Sequence, residues 1–164
     1  MELYIIRIMR CEDIDFLKEM LFEAIFLPQE IKNKLSKDII NQPELNKYFI
    51  DWGRPGDLAY VAETSLTSKL IGCIWGRLFT LTNKGYGFID EQTPELSVAL
   101  SVNYRNQGIG TALGNAIIHN YRQLNYKKLS LNVNESNPSL RLYERFDFKI
   151  VKREADSFIM VKEL

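Results

Sequence analysis

The sequence contains few of the side chains that build metal centres and disulfide frameworks. Its 164 residues include two cysteines, Cys11 and Cys73, and a single histidine, His119. Metal sites use clusters of such ligands at close spacing, and disulfide-stabilised domains carry several cysteine pairs. We therefore expect no metal ion and a core that needs no disulfide staples, and we interpret His119 as a surface residue.

The sequence also lacks net charge and long apolar runs. Its 21 acidic and 21 basic residues balance, so no overall field attracts nucleic acid or an anionic membrane. No stretch approaches the roughly 20 apolar residues that cross a bilayer, and no segment has the pattern of a secretory leader. We expect one cytoplasmic domain, residues 1–164, that binds neither nucleic acid nor membranes.

A strand, a glycine-containing loop and a helix follow one another in the second half of the chain. Apolar residues alternate over residues 95–102, which predicts a strand, and recur every three or four residues over 109–124, which predicts a helix. Between them lies Arg105-Asn106-Gln107-Gly108-Ile109-Gly110. The first amides of a helix are free to bind an anion. We therefore predict an anion site at the N–H groups of Gln107, Gly108, Ile109, Gly110 and Thr111.

Two well-known phosphate loops do not fit these residues. A P-loop requires a second glycine five residues beyond Gly108 and then Lys-Ser or Lys-Thr, but Leu113 occupies that position. A dinucleotide-binding loop requires glycine or alanine in place of Leu113 and an acidic residue about twenty positions on, where Ser130 and its neighbours supply none. Both classes are excluded.

A second segment, residues 134–148, resembles the pattern Asn-x-x-Ala-x-x-x-Tyr-x-x-x-Gly-Phe. Together with Arg-x-x-Gly-x-Gly, it makes the chain resemble the GNAT superfamily of acyl-CoA-dependent N-acyltransferases. Three residues depart from the family pattern. Leu140 stands near a usual alanine, Asp147 replaces the glycine before Phe148, and Asn106 replaces a common glycine.

The resemblance implies an α/β fold with a mixed, mostly antiparallel central sheet and helices on both faces. It also implies that the strand at 95–102 splays away from the strand at 128–133, with the acyl thioester between them. Hydrophobic periodicity predicts the remaining elements: strands at 3–8, 58–63, 70–78, 150–153 and 157–162, and helices at 12–25 and 138–146, with shorter helical pieces within 29–41 and 43–50.

Acetyl-CoA is the co-substrate that the resemblance implies. Its pyrophosphate would lie on the glycine loop beside Arg105, and its pantetheine arm would pair with the backbone of Leu100 and Val102. Asn137 precedes a proline, which is typical of a helix cap. By resemblance, Asn137 also contacts the cofactor arm, and the two roles are compatible.

Two side chains are candidates for the chemistry. By resemblance Tyr143 is the general acid that protonates the leaving thiolate, with a core aromatic as the alternative. Glu95 is the candidate base for an acceptor amine, acting through water, because an amine with a lysine-like pKa of about 10.4 is almost fully protonated at pH 7. Asp90 and Glu91 are alternative bases or attractors of a cationic substrate.

The acceptor carries no sequence signature. A small-molecule amine and a protein or peptide amine both remain open, as do a monomer and a homodimer. Several residues either line an acceptor pocket or are buried aromatics and turn residues: Trp52, Arg54, Trp75, Arg77 and Tyr86. The alternative function is a non-catalytic acyl-CoA-binding sensor or interaction module, which the tyrosine at 143 disfavours.

Overall fold

The computed structural model describes residues 2–164 and contains one seven-stranded sheet in the order β1-β2-β3-β4-β5-β7-β6. All neighbouring strands are antiparallel except β4 and β5, which are parallel. The expected mixed, mostly antiparallel sheet is confirmed. The strands are β1 Tyr4–Ile8, β2 Leu58–Thr64, β3 Leu70–Arg77, β4 Glu95–Leu100, β5 Lys128–Asn134, β6 Lys149–Glu154 and β7 Ser157–Glu163.

Helices cover both faces of the sheet. They are α1 Ile14–Ala24, α2 Gln29–Lys32, α3 Pro43–Asn46, α4 Ile109–Gln123 and α5 Leu140–Arg145. The apolar stripe of α1, including Leu17 and Leu21, packs with Trp75 in one core cluster. Leu113 and Ile117 of α4 pack in a second cluster, together with side chains of α5. The helical period of these apolar residues is what gives each helix its buried face.

The sheet forks between β4 and β5. Within residues 2–164 a single residue pair, Glu95 with Ser130, joins these two strands, and Ser130 N donates to Pro94 O at 3.0 Å. Beyond that pair β4 continues alongside β3 as far as Leu100, while β5 continues alongside β7. The splayed strands that the resemblance implies are therefore present, and one edge of β4 faces the gap.

Two predicted element boundaries beside the glycine loop and before Tyr143 differ from the structure. The strand predicted over residues 95–102 ends at Leu100, because Tyr104 N donates to Ser101 O at 2.9 Å and turns the chain into a 3-10 helix that begins at Val102. The helix predicted from residue 138 begins at Leu140, because Leu140 N donates to Asn137 O across a preceding turn. In both places a local hydrogen bond overrides the apolar pattern.

Two of the three departures from the family pattern lie where the backbone is left-handed. Asn106 has a φ of 59° and Asp147 has a φ of 64°. Asn and Asp adopt this conformation more readily than other non-glycine residues. The chain therefore keeps the two turns although it lacks glycine at both positions.

Candidate active site

The glycine loop presents a row of free backbone amides. Gly108 caps α4 in the left-handed conformation, with a φ of 81°, and a Cβ placed on it would meet nothing within 4 Å. Ala112 N is the first α4 amide that donates backwards, to Gly108 O at 3.1 Å. Among residues 2–164 no oxygen accepts from the amides of residues 107–111. These N–H groups stand at the positive end of α4 and can bind an anion.

Arg105 stands at the entrance to this loop, but its guanidinium lies against α1. Its Nε donates to Leu100 O at 3.3 Å, and its Nη2 contacts Glu23 Oε2 at 3.4 Å. The side chain is 45% exposed. Arg105 therefore ties the end of β4 to α1 while its backbone leads into the amide row.

Every second peptide group of β4 faces the fork. Ser101 N donates to Ile71 O at 2.9 Å, so alternate residues of β4 bond to β3 and the intervening ones, including Val98 and Leu100, direct N–H and C=O groups into the gap. Val102 lies outside the strand and is 58% exposed. Of the two backbone positions predicted for the cofactor arm, the structure puts Leu100 on the open edge and Val102 in the turn beyond it.

Tyr143 lines a narrow apolar cleft between β4, α4 and α5. Val98, Gly110 and Leu142 are among its other lining residues, and the ring of Tyr143 packs edge-on against Phe148 with centroids 6.1 Å apart. Burial raises the pKa of the phenol above its usual value of 10.0. Burial is the only cause of this shift, and no group among residues 2–164 forms a hydrogen bond with the hydroxyl.

Asn137 performs the capping role expected from its place before a proline. Its side-chain Oδ1 accepts from Ser139 N at 2.9 Å, and its own N–H donates to Asn134 O at 3.0 Å. The residue is half-buried between β5 and α5. This turn sets the direction in which α5 leaves β5, and so sets where Tyr143 lies.

Glu95 is a buried carboxyl with an incomplete set of partners. It is 3% exposed, its Oε1 accepts from Gly87 N, and its Oε2 has no hydrogen-bond partner among residues 2–164. Any side chain at Gly85 or Gly87 would collide with the carboxyl oxygens. Burial raises the pKa of Glu95 to about 7, against the lowering effects of the Gly87 bond, the Tyr48 hydroxyl and the Lys47 charge. The carboxyl therefore exchanges its proton near neutral pH.

Glu95 and Tyr143 approach the fork from opposite faces of the sheet. Glu95 lies beside Phe79 on the α1 side, whereas Tyr143 packs against the α4 core. The gap between β4 and β5 is where these faces meet.

The residues considered for an acceptor pocket separate into two groups. Trp75 and Arg77 are fully buried. Arg77 binds both carboxylate oxygens of Asp57, at 2.7 and 2.8 Å, and the backbone oxygens of Lys47 and Ile50. These contacts assign Arg77 to the framework. Tyr86 remains exposed, with its ring stacked on Tyr48 at 6.4 Å.

Asp90 and Glu91 are occupied in the loop that precedes β4. Asp90 Oδ1 accepts from Gln92 N and Thr93 Oγ1 at 2.9 Å, and Glu91 Oε1 accepts from Leu81 N at 2.8 Å. Both residues are exposed. These hydrogen bonds order the loop whose Gly85 and Gly87 enclose Glu95.

Tyr48 belongs to the site although sequence reasoning did not select it. It is 5% exposed and its hydroxyl accepts from Tyr86 N at 2.8 Å. The only sequence signal is the Gly-Tyr-Gly triplet at residues 85–87, which marks a close approach of backbone to another group. The partner of that approach, Glu95, is visible only in the fold.

The fold and the site together define an α/β protein with an anion-binding helix start beside a forked sheet. The chain belongs to the acetyltransferase (GNAT) family, whose family model matches residues 22–148. The family membership and fold support acyl transfer to amines. No curated protein sequence matches the chain closely enough to add a relative.

Solved structures have the same fold. The PaiA N-acetyltransferase of Thermoplasma acidophilum in complex with coenzyme A is 21% identical, with 99% of each chain covered and a TM-score of 0.71. A GNAT-family acetyltransferase of Staphylococcus aureus is 19% identical over 99% of each chain, with a TM-score of 0.71. The ribosomal-protein-S18-alanine N-acetyltransferase of Escherichia coli is 17% identical, covering 98% of this chain and 94% of that one, with a TM-score of 0.66.

The described part of the chain holds no group of three or more His, Cys, Asp or Glu side chains able to bind a metal ion. No helix in the same residues has the length and apolar character needed to cross a membrane. Cys73 is buried and Cys11 is exposed, and both are free.

Proposed function

We propose that the chain is an N-acetyltransferase in which residues 1–164 act as one domain and move an acetyl group from acetyl-CoA to a primary amine. The observation that carries the proposal is the forked sheet. Its open edge on β4 borders a cleft lined by the phenol of Tyr143, and the same strand begins with Glu95, a carboxyl with a pKa of about 7. The coenzyme A bound to the relative from Thermoplasma acidophilum supports the choice of donor class.

The proposed cofactor site uses backbone groups more than side chains. The pyrophosphate lies on the amides of residues 107–111, where the helix dipole favours negative charge. The pantetheine arm pairs with the open edge of β4 at Val98 and Leu100, as an added strand would. Asn137 contributes by fixing the turn before α5, and Arg105 by holding the end of β4 to α1.

The proposed chemistry is direct attack of the amine on the thioester carbonyl. Glu95 removes the excess proton of the amine through water, which its pKa of about 7 suits at neutral pH. A backbone N–H near Leu100 that the pantetheine arm leaves free stabilises the oxyanion of the tetrahedral intermediate. When the carbon–sulfur bond breaks, Tyr143 gives its proton to the thiolate, whose conjugate acid has a pKa of about 8.5 if it resembles cysteine.

The test is the variant Tyr143→Phe, which keeps the ring and removes the proton. We expect kcat for thiol release from acetyl-CoA to fall by about 100-fold, the scale of general acid catalysis, while the affinity for acetyl-CoA changes little. The matched control is Tyr126→Phe, because Tyr126 packs against Tyr121 away from the fork. Unchanged turnover in Tyr143→Phe would remove this residue from the mechanism.

The acceptor is sought with a panel of small primary amines and short peptides with free N-termini. The peptides are included because one structural relative acts on a ribosomal protein. Thiol release that depends on an added amine supports the enzyme. Tight binding of acetyl-CoA without such release across the whole panel would instead favour a non-catalytic acyl-CoA sensor.

A further inference from the structure

Glu23 lies between two cations near the end of α1. Its Oε2 is 3.4 Å from Nη2 of Arg105, at the entrance to the amide row, and 3.7 Å from Nζ of Lys32, at the end of α2. The side chain of Lys32 is 8% exposed and also donates to Glu23 O at 2.8 Å, whereas the side chain of Arg105 is 45% exposed. Lys32 is therefore a fixed partner of Glu23, and Arg105 is a loosely held one.

The contacts of Arg105 are weak for a guanidinium. It makes one contact to a single carboxylate oxygen of Glu23 and one bond to Leu100 O, at 3.4 and 3.3 Å, whereas charge-assisted hydrogen bonds are typically about 2.7–2.9 Å long. The buried guanidinium of Arg77, by contrast, binds both carboxylate oxygens of Asp57 at 2.7 and 2.8 Å. A half-exposed, single contact contributes little to stability, so a stronger anion can draw Arg105 away from α1.

A pyrophosphate on the amide row is such an anion. Its oxygens can accept two parallel hydrogen bonds from one guanidinium, an arrangement that a single carboxylate oxygen does not offer. Arg105 lies two residues before Gln107, the first amide of the row, so its side chain starts beside this anion. When Arg105 turns to the pyrophosphate, Glu23 keeps Lys32 as its counter-charge. The exchange therefore leaves neither Glu23 nor Lys32 without a partner.

We propose that Glu23 is a positioning residue for the donor site, which competes with the donor's pyrophosphate for Arg105 and so lowers the affinity for donors that carry phosphate. Glu23 has no contact with the donor and acts only through Arg105. The inference rests on the proposed function, since it concerns the same cofactor, but it can be tested without an acceptor.

The direct test is isothermal titration calorimetry with coenzyme A. In Glu23→Gln we expect the Kd to fall by about threefold, the scale of an ion pair at this exposure, because Arg105 is released. The matched control is Glu19→Gln, since Glu19 lies one turn earlier on α1 and lines the same cavity but forms no ion pair within residues 2–164. An unchanged or raised Kd in Glu23→Gln, or an equal fall in Glu19→Gln, overturns the proposal.

Shorter ligands show which part of coenzyme A binds Arg105. Dephospho-coenzyme A keeps the pyrophosphate and lacks the ribose phosphate, so its Kd should fall by the same factor in Glu23→Gln. Pantetheine lacks both groups, and its Kd should stay the same. A gain in affinity confined to coenzyme A, or one shared by pantetheine, contradicts an exchange onto the pyrophosphate.

A second variant covers the case in which Glu23→Gln fails to fold. Glu23→Asp keeps a negative charge beside Lys32 and shortens the side chain that holds Arg105, so coenzyme A should again bind more tightly than to wild type. In the background Arg105→Gln neither change at Glu23 should alter the Kd, because the two residues act as a pair. A Kd that stays or rises in Glu23→Asp, or a gain that persists without Arg105, contradicts the proposal.

The failure of this inference and of the proposed function are distinguishable. If the three ligands bind with the expected pattern but no amine releases thiol from acetyl-CoA, Glu23 controls donor binding in a protein that is not an N-acetyltransferase. If amines do release thiol but coenzyme A binds no more tightly to Glu23→Gln, the enzyme is supported and Arg105 does not exchange. A wild-type chain that binds no coenzyme A would overturn both.

Discussion

Ionisation of the Glu95 carboxyl should make activity rise with pH and make stability fall with pH. A base must be ionised, so kcat/KM for acetyl transfer should rise with pH and level off above about 7. The folded protein holds this proton more tightly than the unfolded chain does. The free energy of unfolding should therefore fall between pH 4.5 and about 7, and stay at the lower value above that window.

The variant Glu95→Gln separates this contribution from the rest of the molecule. It removes the titration, so the stability of wild type relative to the variant should drop by about 3 kcal/mol between pH 4 and pH 8, at about 1.4 kcal/mol per pKa unit. Urea unfolding at the two pH values measures the difference. A constant difference would mean that Glu95 titrates at the same pH in the folded and unfolded states.

Arg77 and Asp57 form a buried ion pair that stabilises the fold. The two side chains are 0% and 2% exposed, and Arg77 Nη2 lies 2.7 Å from Asp57 Oδ2. Asp57→Asn leaves the guanidinium buried without its counter-charge, and we expect a loss of about 3–5 kcal/mol in the free energy of unfolding. The control Glu135→Gln breaks the exposed pair with Arg153 and should cost less than about 1 kcal/mol. Comparable losses in the free energy of unfolding in both variants would contradict the expected difference between the buried and the exposed ion pair.

The turn after α5 contains a residue in the left-handed conformation that is not glycine. Asp147 follows the last turn with a φ of 64°. Asp147→Ala should lower the free energy of unfolding by about 1 kcal/mol relative to Asp147→Gly, because alanine is strained in this conformation and glycine is not. Thermal unfolding of the two variants checks the order. Equal stability would mean that the turn relaxes to another conformation.

Most elements were predictable because each is encoded in contiguous periodicity, whereas the contacts between distant residues were not. Leu113 and Ile117 mark the buried face of α4, and the glycine loop is a continuous motif. The end of β4 was missed because Val102 continues the apolar alternation after the backbone has turned. Arg77 was open to two interpretations because its partner Asp57 precedes β2, and no local pattern connects them.

The candidate site also has a part that local sequence predicts and a part that depends on contacts between distant residues. The amide row and the place of Tyr143 follow from two motifs that local sequence specifies. The enclosure of Glu95 does not, since Tyr48 precedes β2 and Gly87 lies in the loop between β3 and β4, and only the fold brings the two together. The raised pKa of Glu95 comes from burial, which depends on the whole fold.

For the whole molecule, we expect acetyl-CoA to stabilise the fold and to protect β4 in an alternating pattern. Free ligand at 100 times its Kd raises the free energy of unfolding by about 2.7 kcal/mol. Hydrogen exchange should slow at the amides of Val98 and Leu100, which face the fork, and change little at Ala99, which already pairs with β3. Thermal unfolding and amide exchange by NMR measure both effects. Equal new protection at all three amides would contradict pairing along the open edge.

The fork also affects how the molecule resists a pulling force. Within residues 2–164 the strands β1 to β4 form one half-sheet and β5 to β7 the other, and a single strand pair, Glu95 with Ser130, joins the two halves. The first strand lies in one half and the last strand in the other, so tension applied between the ends of the chain crosses the gap. In the proposed complex, a pantetheine arm bound in the gap helps to hold the two half-sheets together. The force that the molecule withstands would then depend on the concentration of a metabolite.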